Sequence, residues 1–259
     1  MIPRNSITAW SQFVNWPNFD QVEQDLLLSR LIVEMANDPL LGNELVFRGG
    51  TCLHKFHLKP ALRYSEDLDY VRRSSGEIGP IFDAVRSIGE RLKMTVNTSL
   101  AEHPKVFLRG SYESGSGAIR IKIEINTHER SPAKPYVTRL YTVDSPWFQG
   151  KADVLTFCPE ELVASKLRAL YQRTKGRDLF DLWLALTRLK LVPEDIVACF
   201  AAYCPENYSA RMAERNLREK LGKDSFRNDL SSLLTEVPQD YDIDSAGEMV
   251  INTLIGRIR

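Results

Sequence analysis

The sequence predicts an α+β fold, in which a mixed sheet with flanking helices is followed by a helical C-terminal region. Three observations support this prediction. Residues 118–126 (AIRIKIEIN) alternate strictly between apolar and polar side chains, as a strand with one buried face does. Residues 21–35 carry apolar side chains at helical spacing. After Cys158 and Pro159 every segment has helical character, which indicates a change of architecture at that point.

The first part of the chain mixes helices and strands. Helices are expected at 21–35, 51–56 and 78–92. Asp20 is the expected N-cap of the first, and Pro80 lies in the first turn of the third. Strands are expected at 44–47, 68–71, 94–100, 105–111 and 118–126, with two edge strands at 136–142 and 152–157.

The second part of the chain is predicted to be helical throughout. Helices are expected at 160–173, 178–190, 193–203, 211–221 and 246–258. We therefore expect two domains: an α/β domain at residues 1–158 and a helical domain at 159–259 that completes the active-site cleft.

Composition excludes several classes of protein. Of the 259 residues, 43% are hydrophobic, which is enough for a real core, and no apolar run is long enough for a signal peptide or a membrane span. Lys+Arg and Asp+Glu both number 34, so net charge does not point to nucleic acid. The four cysteines form no CxxC pattern, which disfavours a disulfide framework and a zinc site. A soluble cytoplasmic protein is expected.

The pair Asp67 and Asp69 is the first candidate site. Residues i and i+2 of a strand point to the same face, so the two carboxylates repel each other unless a cation lies between them. Mg²⁺ is commonly bound in this way, with substrate phosphates completing its shell. Glu124 lies on the polar face of the isoleucine-rich strand, and three converging acids would suit a two-metal site. The alternative is a set of solvated surface acids.

Gly49, Gly50 and Thr51 lie where a strand ends and a helix begins. Backbone N–H groups at such a junction can approach phosphate oxygens, and Thr51 could add its hydroxyl. The alternative is a simple tight turn. Arg63 and Ser65 lie just before the acids, where Arg63 could contact phosphate or merely solvate the loop.

Residues 160–183 form the second dense region. Lys166, Arg173, Lys175 and Arg177 make a local basic cluster that suits a triphosphate or an RNA backbone. Asp178 and Asp181, three positions apart, share a helix face. The alternative is an N-cap at Asp178, with ordinary surface charges around it and a solvated Lys166.

Four blocks together resemble the AbiEii/AbiGii toxin family of nucleotidyltransferases. They are FRGGTCLHKF, RYSEDLDY, KIEIN and EELVASKLRALYQRTKGRDLFDLW, and they occur in this order between Val46 and Trp183. The resemblance implies a DNA polymerase β-like nucleotidyltransferase fold. It also implies the toxin half of a bacterial toxin–antitoxin or abortive-infection pair, encoded beside its antitoxin. Some members add nucleotides from an NTP to the 3′ end of tRNA and so block translation.

The family roles can be carried over residue by residue. Asp67 and Asp69 fall on the metal-binding pair, for Mg²⁺ or alternatively Mn²⁺, and Lys166 on the helix lysine near the phosphates. The remaining matches are Gly50 and Thr51 in the nucleotide-cradling turn with Gly49 before them, Arg63 and Ser65 in the R-x-S motif, and Asp178 as the acid of RDxxD. This chain departs from the family pattern in having Gly-Gly-Thr where Gly-Ser is usual, and a glutamate, Glu124, as the third carboxylate.

The resemblance thus predicts a Mg²⁺-dependent nucleotidyltransferase toxin that acts on tRNA or another RNA. Two alternatives remain open at this stage. One is transfer of the nucleotide to a protein hydroxyl. The other is an NTP-binding module that has no catalytic activity and sequesters a partner.

Overall fold

The computed structural model of the protein describes residues 2–100, 102–115 and 117–258. The chain folds as two compact units. The first comprises the chain up to Phe56, Tyr64–Arg130 and Tyr136–Phe157. The second comprises the chain from Cys158 onward together with two short segments, His57–Arg63 and Ser131–Pro135. No local pattern in the sequence separates these two segments from their surroundings.

A seven-stranded mixed sheet forms the centre of the first unit, which confirms the predicted fold class. Its strands are β1 (Leu45–Arg48), β2 (Asp67–Arg72), β3 (Thr95–Ser99), β4 (Lys105–Ser111), β5 (Ala118–Asn126), β6 (Val137–Asp144) and β7 (Gln149–Thr156). Their order is β3-β4-β5-β2-β1-β7-β6. The prediction of two edge strands is wrong for β7, which pairs in parallel with β1 and antiparallel with β6.

The helices of the first unit are α1 (Arg4–Trp10), α2 (Phe19–Asn37), α3 (Leu41–Glu44), α4 (Gly49–Phe56) and α5 (Gly79–Arg91). The N-cap of α2 is Asn18, whose side chain accepts a hydrogen bond from the backbone N–H of Asp20 at 2.9 Å. The prediction of Asp20 as the cap is therefore wrong by two residues. Pro80 lies in the first turn of α5, as expected.

Helices α2, α4 and α5 pack against one face of the sheet. That face carries the four isoleucines of β5, all of which are buried, and Phe47 of β1. The Phe47 ring meets the ring of Phe56 in α4 at 5.9 Å between centroids. On the opposite face, alternate residues of β2, β4 and β5 are polar for the most part and half-buried or exposed. The acids of β2 therefore lie on the face that these helices leave open.

The second unit is helical, as predicted. Its helices are α6 (Pro159–Gln172), α7 (Gly176–Arg188), α8 (Pro193–Phe200), α9 (Ala210–Leu221), α10 (Asp224–Arg227) and α11 (Ile243–Thr253). Helix α6 packs on α7 and α8, and α7 packs on α11. Across the part of the chain that the structure describes, no helix has both the length and the apolar character needed to span a bilayer.

Candidate functional site

The pairing of β2 with β5 brings the predicted acids together. The two strands run parallel, with Asp69 opposite Glu124 and Asp67 opposite Lys122. Because side chains of paired residues point to the same face, all four lie on the open side of the sheet. The three acids can converge only if the isoleucine-rich strand pairs beside the aspartate strand. The structure confirms this pairing.

Lys122 is a member of this site that the sequence did not reveal. Its ammonium lies 3.0 Å from Asp67 Oδ2 and 3.2 Å from Glu124 Oε2. The Nζ of Lys105 on β4 lies 3.6 Å from the same Glu124 oxygen. The only available signal was the position of Lys122, two residues before Glu124 and so on the same face. A built-in cation thus occupies part of the space between the acids.

Burial raises the pKa of Asp67, and the neighbouring Lys122 ammonium offsets only part of that rise. Burial also lowers the pKa of Lys122, but the attraction of Asp67 outweighs it, so the lysine pKa is raised. The lysine stays charged and still does not fully compensate the burial of the acid. A second, stronger cation would therefore be favoured at Asp67.

The acids fit a divalent cation by charge and donor type. Asp67 and Asp69 offer carboxylate oxygens on one strand face, and the ammonium between Asp67 and Glu124 shows that a cation is accommodated there. The carboxylate oxygens of Asp67, Asp69 and Glu124 do not all lie within 4.8 Å of one another. Among the described residues, only Cys158, Glu161 and Cys199 bring three possible metal ligands that close together. Glu124 would have to turn away from Lys122 and Lys105 to join a metal shell.

Gly49 presses directly against Asp69. It has φ +81°, which favours glycine, and a Cβ at this position would lie 2.3 Å from Asp69 Oδ2. The glycine therefore allows both the turn and the close approach of the carboxylate. Gly50 is buried in the first turn of α4.

Thr51 and Ser65 join the start of α4 to the start of β2. The Thr51 hydroxyl donates a hydrogen bond to the backbone oxygen of Asp67 at 2.5 Å and lies 2.8 Å from Ser65 Oγ. These contacts hold the backbone that carries the first acid. Contacts of Thr51 and Ser65 with nucleotide remain a prediction.

A buried ion cluster lies in the second unit. Arg63 donates through Nε and Nη2 to both carboxylate oxygens of Asp181, at 2.6 and 2.7 Å. The Nζ of Lys166 lies 2.8 Å from Asp181 and 3.3 Å from Asp178, and Arg173 makes two further hydrogen bonds to Asp178. Both aspartates are fully buried. Burial raises the pKa of Asp178, but Lys166 and Arg173 outweigh it, so the pKa is lowered.

These pairs revise several predictions. Lys166 is 7% exposed, so the alternative of a solvated helix lysine is wrong. The N-cap of α7 is Lys175, so the alternative of a cap at Asp178 is wrong as well. Arg63 is 3% exposed and does not solvate a loop, and its contact with a phosphate would require breaking the pair with Asp181. The expected basic cluster is largely neutralised, since Lys175 and Arg177 also face an acid, Asp229.

The cysteine-containing cluster of the second unit has a structural explanation. The Glu161 carboxylate accepts hydrogen bonds from the backbone N–H groups of Ala133 and Lys134, at 2.7 and 3.0 Å, and from the hydroxyl of Tyr203. Burial raises the pKa of the Cys158 thiol to about 12, so it is neutral at physiological pH. Glu161 is thus committed to anchoring the segment Ser131–Pro135.

A family model described as nucleotidyl transferase AbiEii toxin of type IV toxin–antitoxin systems matches residues 30–248. The chain belongs to the AbiEii toxin family. It is therefore a nucleotidyltransferase, and its membership implies an NTP substrate and a cognate antitoxin. The resemblance seen in the sequence is confirmed.

Solved structures agree with the fold of this AbiEii protein. The nucleotidyltransferase toxin MenT4 from Mycobacterium tuberculosis is similar with a TM-score of 0.64 and 16% identity, over 100% of this chain and 91% of MenT4. The protein JHP933 from Helicobacter pylori gives a TM-score of 0.53 and 16% identity, over 93% of each chain. At this identity the similarity establishes the fold. A search of curated protein sequences found no match.

The Gly49 turn of this AbiEii protein provides a first test. We expect Gly49→Ala to lower the free energy of unfolding by more than the roughly 1–2 kcal/mol of backbone strain at positive φ, because its Cβ also displaces Asp69. The affinity for Mn²⁺ should also fall, because Asp69 is displaced. Gly115→Ala is the matched control, since Gly115 has φ +69° but open space around its Cβ. Urea denaturation and Mn²⁺ titration measure both effects, and equal losses in the two variants would contradict the role of Gly49.

Lys122 provides a second test. In EDTA, Lys122→Met should destabilise the protein by about 1 kcal/mol, because Asp67 and Glu124 lose the cation between them. With Mn²⁺ the melting temperature should rise further than in wild type, since the ammonium no longer competes with the metal. Lys151→Met, at an exposed lysine of β7, is the control. Wild-type Mn²⁺ affinity in Lys122→Met would disprove competition.

The ion cluster of the second unit provides a third test. Arg63→Met should cost about 3–5 kcal/mol of unfolding free energy, because it leaves a buried carboxylate with one cation fewer. Adding Asp181→Leu should recover part of the loss. Arg218→Met, at an exposed pair with Glu248, should cost less than about 1 kcal/mol. Denaturant unfolding compares the three, and similar losses for the buried and the exposed arginine would refute the assignment.

Proposed function

We propose that the protein transfers a nucleoside monophosphate from an NTP to the 3′ end of a tRNA or another RNA, in a Mg²⁺-dependent reaction that inhibits translation in the cytoplasm. The observation that carries the proposal is the placement of Asp67 and Asp69 side by side on the open sheet face, with the Gly49 turn against Asp69. Paired acids beside a strand-to-helix turn suit a metal-bound triphosphate.

The chain's own residues would hold the triphosphate and the acceptor in line. Asp67 and Asp69 would hold the metal, and the turn at Gly49, Gly50 and Thr51 would direct backbone N–H groups to the phosphates at the start of α4. When bound, Mg²⁺ or Mn²⁺ supplies neutralisation of the phosphate charge and polarisation of the reacting phosphoryl group. Little covalent work remains for the protein, so catalysis rests on positioning and electrostatics.

The family roles of Lys166 and Asp178 form part of the proposal. Lys166 would neutralise charge on the phosphates only after its ammonium leaves the pairs with Asp178 and Asp181. Ser65 and Arg63 would act through their neighbours: Ser65 beside the Thr51 hydroxyl, and Arg63 by holding Asp181. Glu124 would hold Lys122 and Lys105, and would join the metal shell only after turning away from them.

The two alternatives differ from this proposal in what they require. A module that only binds NTP and sequesters a partner has no need of paired metal-binding acids, so it predicts nucleotide binding without release of pyrophosphate. Transfer to a protein keeps the chemistry and changes only the acceptor, so it predicts a labelled product that protease destroys and RNase spares.

The decisive experiment incubates the purified protein with Mg²⁺, total tRNA and each labelled NTP in turn. We expect one NTP to label RNA, and Asp67→Asn and Asp69→Asn to reduce labelling by at least roughly a hundredfold, because each removes one carboxylate ligand of the metal that would stabilise the reacting phosphates. Both variants should also lose toxicity. Asp153→Asn, at an exposed acid of β7, is the control. If Asp69→Asn still labels RNA and stops growth as wild type does, the mechanism is wrong.

A further inference from the structure

The open face of the sheet continues beyond the acids onto β4 and β5. Phe107 and Arg109 of β4 and Arg120 of β5 lie on this face, because each alternates with a buried neighbour. Both arginines are exposed, and Phe107 is half-buried. We call these three residues the Phe107 platform.

The two arginines of the platform lie directly opposite each other across the β4–β5 ladder. Like charges in this position destabilise a sheet unless something neutralises them. Among the described residues neither guanidinium forms a salt bridge to an acid, whereas Lys105 and Lys122 on the same face are bound to Glu124. The pair Arg109 and Arg120 therefore presents two uncompensated positive charges to an external anion.

The platform also offers an aromatic surface. The guanidinium of Arg120 lies over the Phe107 ring, 4.8 Å from its centroid. A ring and a guanidinium arranged in this way provide flat surfaces on which a nucleobase can stack, and stacking on aromatic rings and arginines is how proteins hold single-stranded RNA. A simple anion would need only the positive charges of Arg109 and Arg120 and would gain nothing from the aromatic ring.

The register connects the platform to the acids. Phe107 lies opposite Lys122, and Lys122 lies opposite Asp67, so the three form one row across β4, β5 and β2. Neighbouring strands are about 4.8 Å apart, which puts the backbone of Phe107 about 10 Å from that of Asp67. The terminal nucleotides of a single strand can bridge that distance.

We propose that the Phe107 platform binds the single-stranded 3′ end of the RNA acceptor. A base stacks on the surface that the Phe107 ring and the Arg120 guanidinium form together, phosphates contact Arg109 and the outer edge of Arg120, and the terminal hydroxyl reaches the acids at Asp67. This inference rests on the proposed function and adds to it the surface on which the acceptor lies. A protein hydroxyl as acceptor would require neither the stacking surface nor the paired arginines.

The test measures RNA binding apart from catalysis. An end-labelled single-stranded RNA is titrated with the full-length protein without NTP, and binding is followed by fluorescence anisotropy at several salt concentrations. We expect Arg109→Glu and Arg120→Glu each to weaken binding about tenfold and to lower the slope of log K against log salt by about 1. Phe107→Leu, which keeps apolar volume and removes the ring, should also weaken binding about tenfold. Arg139→Glu, at an exposed arginine of β6, should bind as wild type does.

Steady-state transfer assays complete the design. The platform variants should raise the KM for RNA and leave the KM for NTP unchanged. The inference is overturned if wild-type enzyme labels RNA and the platform variants bind and use RNA as it does, an outcome that leaves the proposed function intact. It is also overturned if Phe107→Leu raises only the KM for NTP, which would assign the ring to the nucleotide base. If the wild-type enzyme labels only protein, the proposed RNA acceptor fails and the platform proposal fails with it.

Discussion

Repulsion between carboxylates on one open sheet face is the constraint on which the first unit depends. The parallel pairing of β2 with β5 puts Asp67, Asp69 and Glu124 on the same side, where burial of Asp67 and the nearby charge of Glu124 both raise the pKa of Asp67. The protein meets this cost in part with Lys122, which lies between Asp67 and Glu124. The compensation is incomplete, because the pKa of Asp67 stays raised by burial. A site left in this state favours an additional cation, which is what metal-dependent phosphoryl transfer needs.

The buried carboxylates of the second unit, in contrast, are fully paired with cations of the protein. Asp178 and Asp181 are fully buried and are paired with Lys166 of α6, with Arg173 just after α6 and with Arg63, so their charges are satisfied internally. Such a cluster is costly to break by removing one partner and fixes the position of the lysine it contains. The chain thus combines an open acidic site that is short of cations with a closed ionic core that is not. Only the first arrangement leaves a buried acid whose charge the protein's own cations do not fully compensate.

The sequence predicted the helices and strands better than it predicted which of them pair or pack together. Strict alternation located β5, and i, i+2 spacing placed Asp67 and Asp69 on one face, because both are local properties of a strand. The interior position of β7 depends on its parallel pairing with β1, which no local pattern encodes. Lys166 read equally well as a solvated or a functional lysine, since burial depends on the folding of α7 beside α6. The contact of Gly49 with Asp69 joins residues 20 positions apart and is visible only in three dimensions.

The net charge of the chain does not describe the charge of any one surface, because many charged side chains are paired with each other. The chain has 34 basic and 34 acidic residues, so composition alone offers no reason to expect a polyanion as partner. Many of the acids, however, are committed to nearby cations, as Asp229 is to Lys175 and Arg177. Arg109 and Arg120 have no such acid within the described chain and lie exposed on one face. Salt screens charges that are more than a Debye length away, so the electrostatic field at a surface is set mainly by the unpaired charges nearest to it. A protein with no net charge can therefore still present a cationic surface to RNA.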